Sequence, residues 1–290
     1  MTWEVALQLG RVSNLPTVWT NMLAGIVLAG GAAFDARTIS LLIALTFFYV
    51  GGMYLNDAYD ADIDAAERPE RPIPSGRVSR RTVFLCGFGM LAVGTLLLLW
   101  VGLGLPDGTG LWPALGGLAL GAAIVFYDWN HKGNVFSPVV MGLCRMLVYV
   151  TAGLAVAVPV PAVLLLGAAL LLCYVIGLTY VAKQETLGRV ENLWPLVFLA
   201  APLVYGLILV VEQPWAGVFW LALAVWIGVA LWFVKRRGPG DVPRAVVSLI
   251  AGISLFDALM IAGAGELGLA ALAVFGFILT LVLQSYVSGT

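Results

Sequence analysis

The sequence predicts an all-α fold: a polytopic transmembrane helical bundle of nine to ten spans, with cytoplasmic loops capping a central cavity. Three observations predict it. Of the 290 residues, 61% are apolar and only 11% charged, with a mean hydropathy of +1.00; an average soluble chain carries about 25% charged residues, so a water-soluble globule could not be coated with so little polar surface. The apolar residues fall into stretches close to the ~20 residues that a helix needs to cross a bilayer core. The basic residues, finally, are distributed unevenly between the two ends of those stretches.

Taken in order, the segment Met1–Leu15 carries Glu4, Gln8, Arg11, Ser13 and Asn14 and no continuous apolar run, so it reads as a short amphipathic segment lying on the membrane rather than as a signal peptide. Apolar stretches follow near residues 15–34, 39–56, 83–104, 111–127, 135–157, 162–181, 193–211, 215–234, 245–263 and 267–288. Only a short turn at Gly263–Gly265 parts the last two, hence nine to ten spans. The 34 glycines suit close helix packing in lipid, and no repeat marks the inverted halves of a transporter. With the N-terminus inside, that side receives Arg11, Arg68, Arg71, Arg77, Arg80, Arg81, Lys132, Lys183, Arg189, Lys235, Arg236, Arg237 and Arg244, thirteen of the fifteen basic residues. The positive-inside rule therefore places the N-terminus and the polar loops in the cytoplasm of a prokaryotic-type inner membrane. Residues 1–290 form one domain, whose polar chemistry sits in the loop 56–82 and the loop 183–192.

Composition also excludes function classes. A net charge of −1 leaves no basic excess for nucleic acid. Cys86, Cys144 and Cys173 lie inside apolar runs without disulfide or metal spacing and read as packing residues. One histidine, His131, rules out a His-rich metal centre.

The densest chemistry follows the second span. In Asn56-Asp57-Ala58-Tyr59-Asp60-Ala61-Asp62-Ile63-Asp64, a continued helix places Asp57, Asp60 and Asp64 at i, i+3 and i+7 on one face, with Asn56 one turn before Asp60. Like charges on one stripe repel, which a hard divalent cation such as Mg2+ reverses, since it prefers carboxylate and amide oxygens and commonly bridges carboxylates to substrate phosphates. Then come Glu67-Arg68-Pro69-Glu70-Arg71-Pro72-Ile73-Pro74-Ser75-Gly76-Arg77, in which prolines stiffen the loop and Arg68, Arg71 and Arg77 offer forked donors for phosphate oxygens. Arg80 and Arg81 read as topology anchors. Acids that bind a cation, followed by arginines, point to a diphosphate.

The pattern N-D-x-x-D-x-x-x-D followed by R-P-x-R-P and a glycine, carried here by Asn56, Asp57, Asp60, Asp64, Arg68, Pro69, Arg71, Pro72 and Gly76, resembles the first signature of the UbiA superfamily of intramembrane prenyltransferases. Weaker similarity runs from Arg11 to Asn192: Arg11, Asn14 and Asn21 resemble the family's first-helix polar residues, Tyr127 with Lys132 its element after span four, and Gly142–Arg145 its fifth helix. The family's second signature, another D-x-x-x-D after span six, is replaced by Lys183-Gln184-Glu185-Thr186-Leu187-Gly188-Arg189-Val190-Glu191-Asn192, so a second metal position is at best Glu185 with Asn192. This departure resembles the divergent EboC-like branch.

The resemblance implies an enzyme that moves an isoprenyl group from an isoprenyl diphosphate to a lipophilic, aromatic acceptor, with membrane lipids around it. Mg2+ would be held by Asn56, Asp57, Asp60 and Asp64, the diphosphate by Arg11, Asn56, Arg68, Arg71, Lys132, Arg145 and Lys183, and the allylic cation by Tyr127 or Tyr180. The alternatives are an intramembrane terpene cyclase with the same ionisation, and a non-catalytic polyprenyl-phosphate binder or translocase. Two charges lie inside spans. Arg145 is expected either to pair with Asp257 or Asp128, or to face the cavity. Trp19, Trp100, Trp112, Trp194 and Trp215 are expected as interfacial anchors.

Overall fold

The computed structural model describes residues 1–183 and 194–287, and among these every regular element is a helix. A short surface helix α1 (Trp3–Leu9) starts where the Thr2 hydroxyl accepts the Val5 N–H. A single 3-10 turn at Val12–Asn14 leads into α2 (Leu15–Leu28). Then come α3 (Ala36–Tyr59), the short α4 (Ala61–Glu67), α5 (Arg80–Leu103), α6 (Trp112–Asn130), α7 (Ser137–Leu154) and α8 (Ala162–Lys183). A 3-10 segment, Trp194–Leu199, runs into α9 (Ala200–Glu212), followed by α10 (Ala216–Arg236), α11 (Asp241–Gly263) and α12 (Leu267–Gln284). The starts follow local chemistry. Asp35 and Ser79 cap α3 and α5 by accepting the N–H groups of Thr38 and Thr82, and α6 and α7 carry Pro113 and Pro138 in their first turns, where a missing N–H costs nothing.

All ten expected apolar stretches are helical, and among the described residues eight helices are long and apolar enough to cross a membrane. The other two are α2 and α6. Helix α2 has 14 residues, roughly 21 Å at 1.5 Å per residue, and stops at Leu28 rather than near 34 because Gly30 turns the chain with φ 79°. Helix α6 carries Tyr127, Asp128 and Asn130 in its last turn, which lowers its mean hydropathy.

Two apolar cores flank α2 and α7, which serve both. Val18, Met22 and Ile26 of α2, with Val148 and Ala152 of α7, pack towards α3, α5 and α6. Leu23, Val27 and Tyr149 face the second core with α8, α9, α10, α11 and α12. The two central helices meet closely because Gly25 has no side chain: a Cβ there would lie 2.7 Å from the Tyr149 carbonyl oxygen. That approach sets Asn21 of α2 beside Arg145 of α7. Trp100, Trp112, Trp194 and Trp215 are exposed at helix ends. Trp19 instead donates its indole N–H to Thr46 of α3 at 2.9 Å and joins two helices rather than anchoring the interface.

Candidate active site

Helix α3 ends at Tyr59, but the ladder continues across Asp60 into α4, with Asp60 N–H donating to the Asn56 carbonyl and Asp64 N–H to the Asp60 carbonyl. The expected single face is therefore built. Asn56, Asp57, Asp60 and Asp64 are all at most 8% exposed, while Asp62 points outward to Arg80 at 2.9 Å. This face forms one wall of a cavity of about 360 Å³ between the two cores.

Basic side chains from three segments meet the acids. Arg11, held in the left-handed region at φ 41°, donates to Asp57 Oδ1 at 3.0 Å and Asn56 Oδ1 at 3.3 Å. A non-glycine residue rarely takes that conformation, and the strain is offset where surrounding contacts fix it; here the Arg11 carbonyl accepts the Tyr49 hydroxyl at 3.2 Å. Arg71 spans Asp64 at 2.8 Å and Asp57 at 3.5 Å. His131 Nε2 lies 3.4 Å and Lys132 Nζ 3.6 Å from Asp60 Oδ2. Burial alone would raise the Asp60 carboxyl; the hydrogen bond and charge of His131, with Lys132 and Arg71, outweigh it and hold Asp60 below its ordinary value. Burial likewise opposes the Arg11 charge, but Asp57 outweighs it and the guanidinium is held above its ordinary value.

Asp128, at the end of α6, faces the same cavity. Its Oδ1 accepts from Asn56 Nδ2 at 3.1 Å, and its Oδ2 is buried without a hydrogen-bond partner. Tyr127 stacks on His131 with ring centroids 4.9 Å apart. Deeper, Arg145 borders the cavity, donates to Asn21 Oδ1 at 3.0 Å, and lies 5.8 Å from the Tyr49 ring centroid. Below these groups the walls are apolar, with Val18, Leu45, Phe48, Val148, Val175 and Ile253 among them.

Most of the expected site residues thus converge. Arg11, Asn56, Asp60, Asp64, Arg68, Arg71, Tyr127, Lys132 and Arg145 border one cavity, and Asp57 stands directly behind them, paired with Arg11. Lys183 is not on the cavity wall and donates to the Asn134 carbonyl in the loop after α6; Tyr180 is not on the wall either. Arg77 ties the loop down instead of facing the acids, donating to Gln8 Oε1 at 3.2 Å, Ser75 Oγ at 3.0 Å and the Glu70 carbonyl at 2.7 Å, because Gly76 at φ 75° turns the chain away. Glu185 and Asn192 lie outside the described residues. Asp128 and His131 were not among the expected ligands; their signal was an acid and an imidazole following an apolar helix on the same side as the acidic motif.

The donor chemistry suits a hard divalent cation. Asn56, Asp57, Asp60, Asp64 and Asp128 offer carboxylate and amide oxygens as ligands, and the orphaned Asp128 Oδ2 is a buried acceptor that lacks a partner. Among the described residues no three His, Cys, Asp or Glu side chains gather tightly enough to hold a metal ion alone. A cation here would share its coordination between one or two carboxylates and the oxygens of a ligand, as Mg2+ commonly does.

A model of the UbiA prenyltransferase family matches residues 17–250. The chain is 31% identical over 226 residues to the digeranylgeranylglyceryl phosphate synthase of Methanopyrus kandleri, covering 76% of this chain and 75% of the relative. A protein of the same name from Ignicoccus hospitalis is 35% identical over 126 residues, covering 43% of this chain and 38% of the relative. Among solved structures, one described as giving structural and mechanistic insights into digeranylgeranylglyceryl phosphate synthase in membranes aligns with a TM-score of 0.62 at 15% identity, covering 90% of this chain and 98% of that one. A UbiA homologue from Archaeoglobus fulgidus bound to DMAPP and Mg2+ aligns with a TM-score of 0.54 at 15% identity, covering 91% and 99%. These structural likenesses show the fold, and the family match spans both the acidic face and Arg145. The chain is an integral membrane prenyltransferase and belongs to the UbiA prenyltransferase family.

Proposed function

We propose that this protein moves an isoprenyl group from an isoprenyl diphosphate to a lipophilic acceptor, with Mg2+ at the acidic face. The observation that carries the reading is the cavity's polarity: oxygen donors and cations at the mouth, apolar walls below. A diphosphate fits the first and its hydrocarbon chain the second.

One or two of the carboxylates of Asp57, Asp60, Asp64 and Asp128, with Asn56, would hold the cation. Mg2+ bound there would supply Lewis-acid neutralisation of the negative charge that grows on the leaving diphosphate. The remaining work falls to side chains. Arg71 now bridges Asp64 and Asp57, and Arg11 pairs with Asp57; these ion pairs keep the acids neutralised when no ligand is present. Arg11, Arg71 and Lys132, which face the acids, and Arg68 on the same wall would grip phosphate oxygens with charge-assisted hydrogen bonds. Glu185 with Asn192 would form a second, weaker cation position. As the bond between C1 of the isoprenyl group and the diphosphate oxygen breaks, its electron pair leaves with the diphosphate. Tyr127 and Tyr49, both on the cavity wall, would offer their rings to the allylic cation, and the apolar walls would exclude water that quenches it. The acceptor's nucleophilic atom then bonds to C1 and gives up its proton.

Thirteen of fifteen basic residues on one side orient this mouth to the cytoplasm. The acceptor expected from the sequence is an electron-rich aromatic or another lipid-soluble nucleophile; the name of the relatives denotes a phosphate-bearing glyceryl lipid product, which makes such a lipid the second acceptor class to test. The test is mass spectrometry of organic products after incubating the protein in nanodiscs with Mg2+ and geranyl, farnesyl or geranylgeranyl diphosphate, with and without each acceptor class. A prenylated acceptor supports transfer. A cyclised hydrocarbon or alcohol formed without acceptor identifies a cyclase, and bound but unconverted diphosphate identifies a binding protein.

A further inference from the structure

Asp257 lies in the middle of α11, fully buried, within the span that is 83% buried inside the bundle. A carboxylate at that depth is costly unless hydrogen-bonded, and this one is. Asn21 Nδ2 donates to both its oxygens, at 3.0 Å to Oδ1 and 2.8 Å to Oδ2, and the Tyr149 hydroxyl donates to Oδ1.

The consequence falls on Asn21. An amide side chain has donors on one side and a single acceptor oxygen on the other. With Nδ2 committed to the carboxylate, Oδ1 must face away from α11, and there it accepts from Arg145 Nη1 at 3.0 Å. Arg145 in turn borders the cavity, with the Tyr49 ring across it. Asp257 thus sets the amide and the amide sets the guanidinium, through residues from three helices. A structural anchor for three helices would not need the amide's oxygen to meet a cavity-lining cation.

We propose that Asp257 is a positioning residue that, through Asn21, aims the Arg145 guanidinium at a phosphate oxygen of the substrate. The proposal rests on the reading that the cavity takes an isoprenyl diphosphate. That oxygen comes either from the donor's diphosphate or from a phosphate on the acceptor, and the two are separated by measuring KM for each substrate.

The experiment is a double-mutant cycle in nanodiscs with Mg2+, using geranylgeranyl diphosphate as donor and a geranylgeranylglyceryl phosphate as acceptor. Asp257→Asn leaves the shape intact but frees the Asn21 amide to turn its Nδ2 towards Arg145. It is expected to raise KM for one of the two substrates about tenfold, the loss of one charge-assisted hydrogen bond, with kcat within about twofold. Arg145→Gln is expected to do the same, and the double variant no more than Arg145→Gln alone. The swapped pair Asp257→Asn with Asn21→Asp returns an acceptor oxygen to Arg145 and is expected to recover KM; it also serves if the single variant fails to fold. Tyr149→Phe, which leaves Asn21 committed, is expected to lower Tm without moving KM. Effects of Asp257→Asn and Arg145→Gln that multiply in the double variant, or a loss of Tm with KM unchanged, overturn the proposal. If the wild-type protein neither binds geranylgeranyl thiodiphosphate nor turns over the diphosphate, the diphosphate reading itself fails; turnover with an additive cycle refutes only the role of Asp257.

Discussion

Replacing Asp128 by Asn should separate the stability of this protein from its function. Asp128 is 5% exposed; its Oδ1 accepts from Asn56 at 3.1 Å, while Oδ2 is buried without a partner. A buried acceptor left unsatisfied costs about 1–3 kcal/mol, more when it is charged. Asp128→Asn keeps an oxygen for Asn56 and removes the orphaned acceptor together with its repulsion by Asp60 and Asp57, so the ligand-free protein should gain about 1–3 kcal/mol. At roughly 2–4 °C per kcal/mol for a chain somewhat below this size, the gain reads as a rise of several degrees in Tm. The ligand response should move the other way. A ligand at about 100 times its Kd stabilises by ~2.7 kcal/mol, and a tenfold weaker cation site halves that, to ~1.4 kcal/mol. The assay is thermal unfolding followed by tryptophan fluorescence in nanodiscs, with and without Mg2+ plus geranylgeranyl thiodiphosphate. A ligand-free Asp128→Asn protein that melts below the wild type, or one that keeps the full ligand-induced shift, would refute the view of Oδ2 as an acceptor waiting for a cation.

Other consequences follow from the same geometry. Arg71→Met removes the bridge over Asp64 and Asp57; the ligand-free Tm is expected to fall and KM for the isoprenyl diphosphate to rise about 10–100-fold, read by steady-state kinetics. Arg77→Ala, by contrast, loses only exposed contacts to Gln8, Ser75 and Glu70, so KM should stay put and stability should drop by no more than about 1 kcal/mol, although Arg77 sits in the same motif loop. Gly25→Ala places a Cβ 2.7 Å from the Tyr149 carbonyl oxygen and should cost about 1–3 kcal/mol by overpacking; because it parts α2 from α7, it should also raise KM in the way Arg145→Gln does, a coupling that an unrelated packing defect would not show.

The acidic face was readable from the sequence because its geometry is local: three carboxylates at i, i+3 and i+7 share a face wherever the helix continues, and Asp57, Asp60 and Asp64 are buried together while Asp62 is not. The apolar stretches were readable for the same reason, each being a property of its own helix. What escaped depends on contacts between distant segments. Asp128 joins the site only because α6 packs on α3 and sets it against Asn56. The fate of Arg77 depends on the positive φ of Gly76 and on Gln8 of α1. The early end of α2 is a backbone event at Gly30 that hydropathy does not register. Arg145 was expected either to pair with Asp257 or Asp128 or to face the cavity; it borders the cavity and forms an ion pair with neither acid, its link to Asp257 running through Asn21, a residue 236 positions from Asp257.

The central claim is that the acidic face, loaded with Mg2+, ionises an isoprenyl diphosphate inside this cavity. It is tested most directly by diphosphate release from purified protein in nanodiscs supplied with geranylgeranyl diphosphate and acceptor, comparing wild type with Asp60→Ala, each with Mg2+ and with EDTA. The expected result is release by the wild type with Mg2+ alone, and a fall of at least about 100-fold either on chelation or in Asp60→Ala. Release that survives EDTA, or that Asp60→Ala carries out at the wild-type rate, would contradict it.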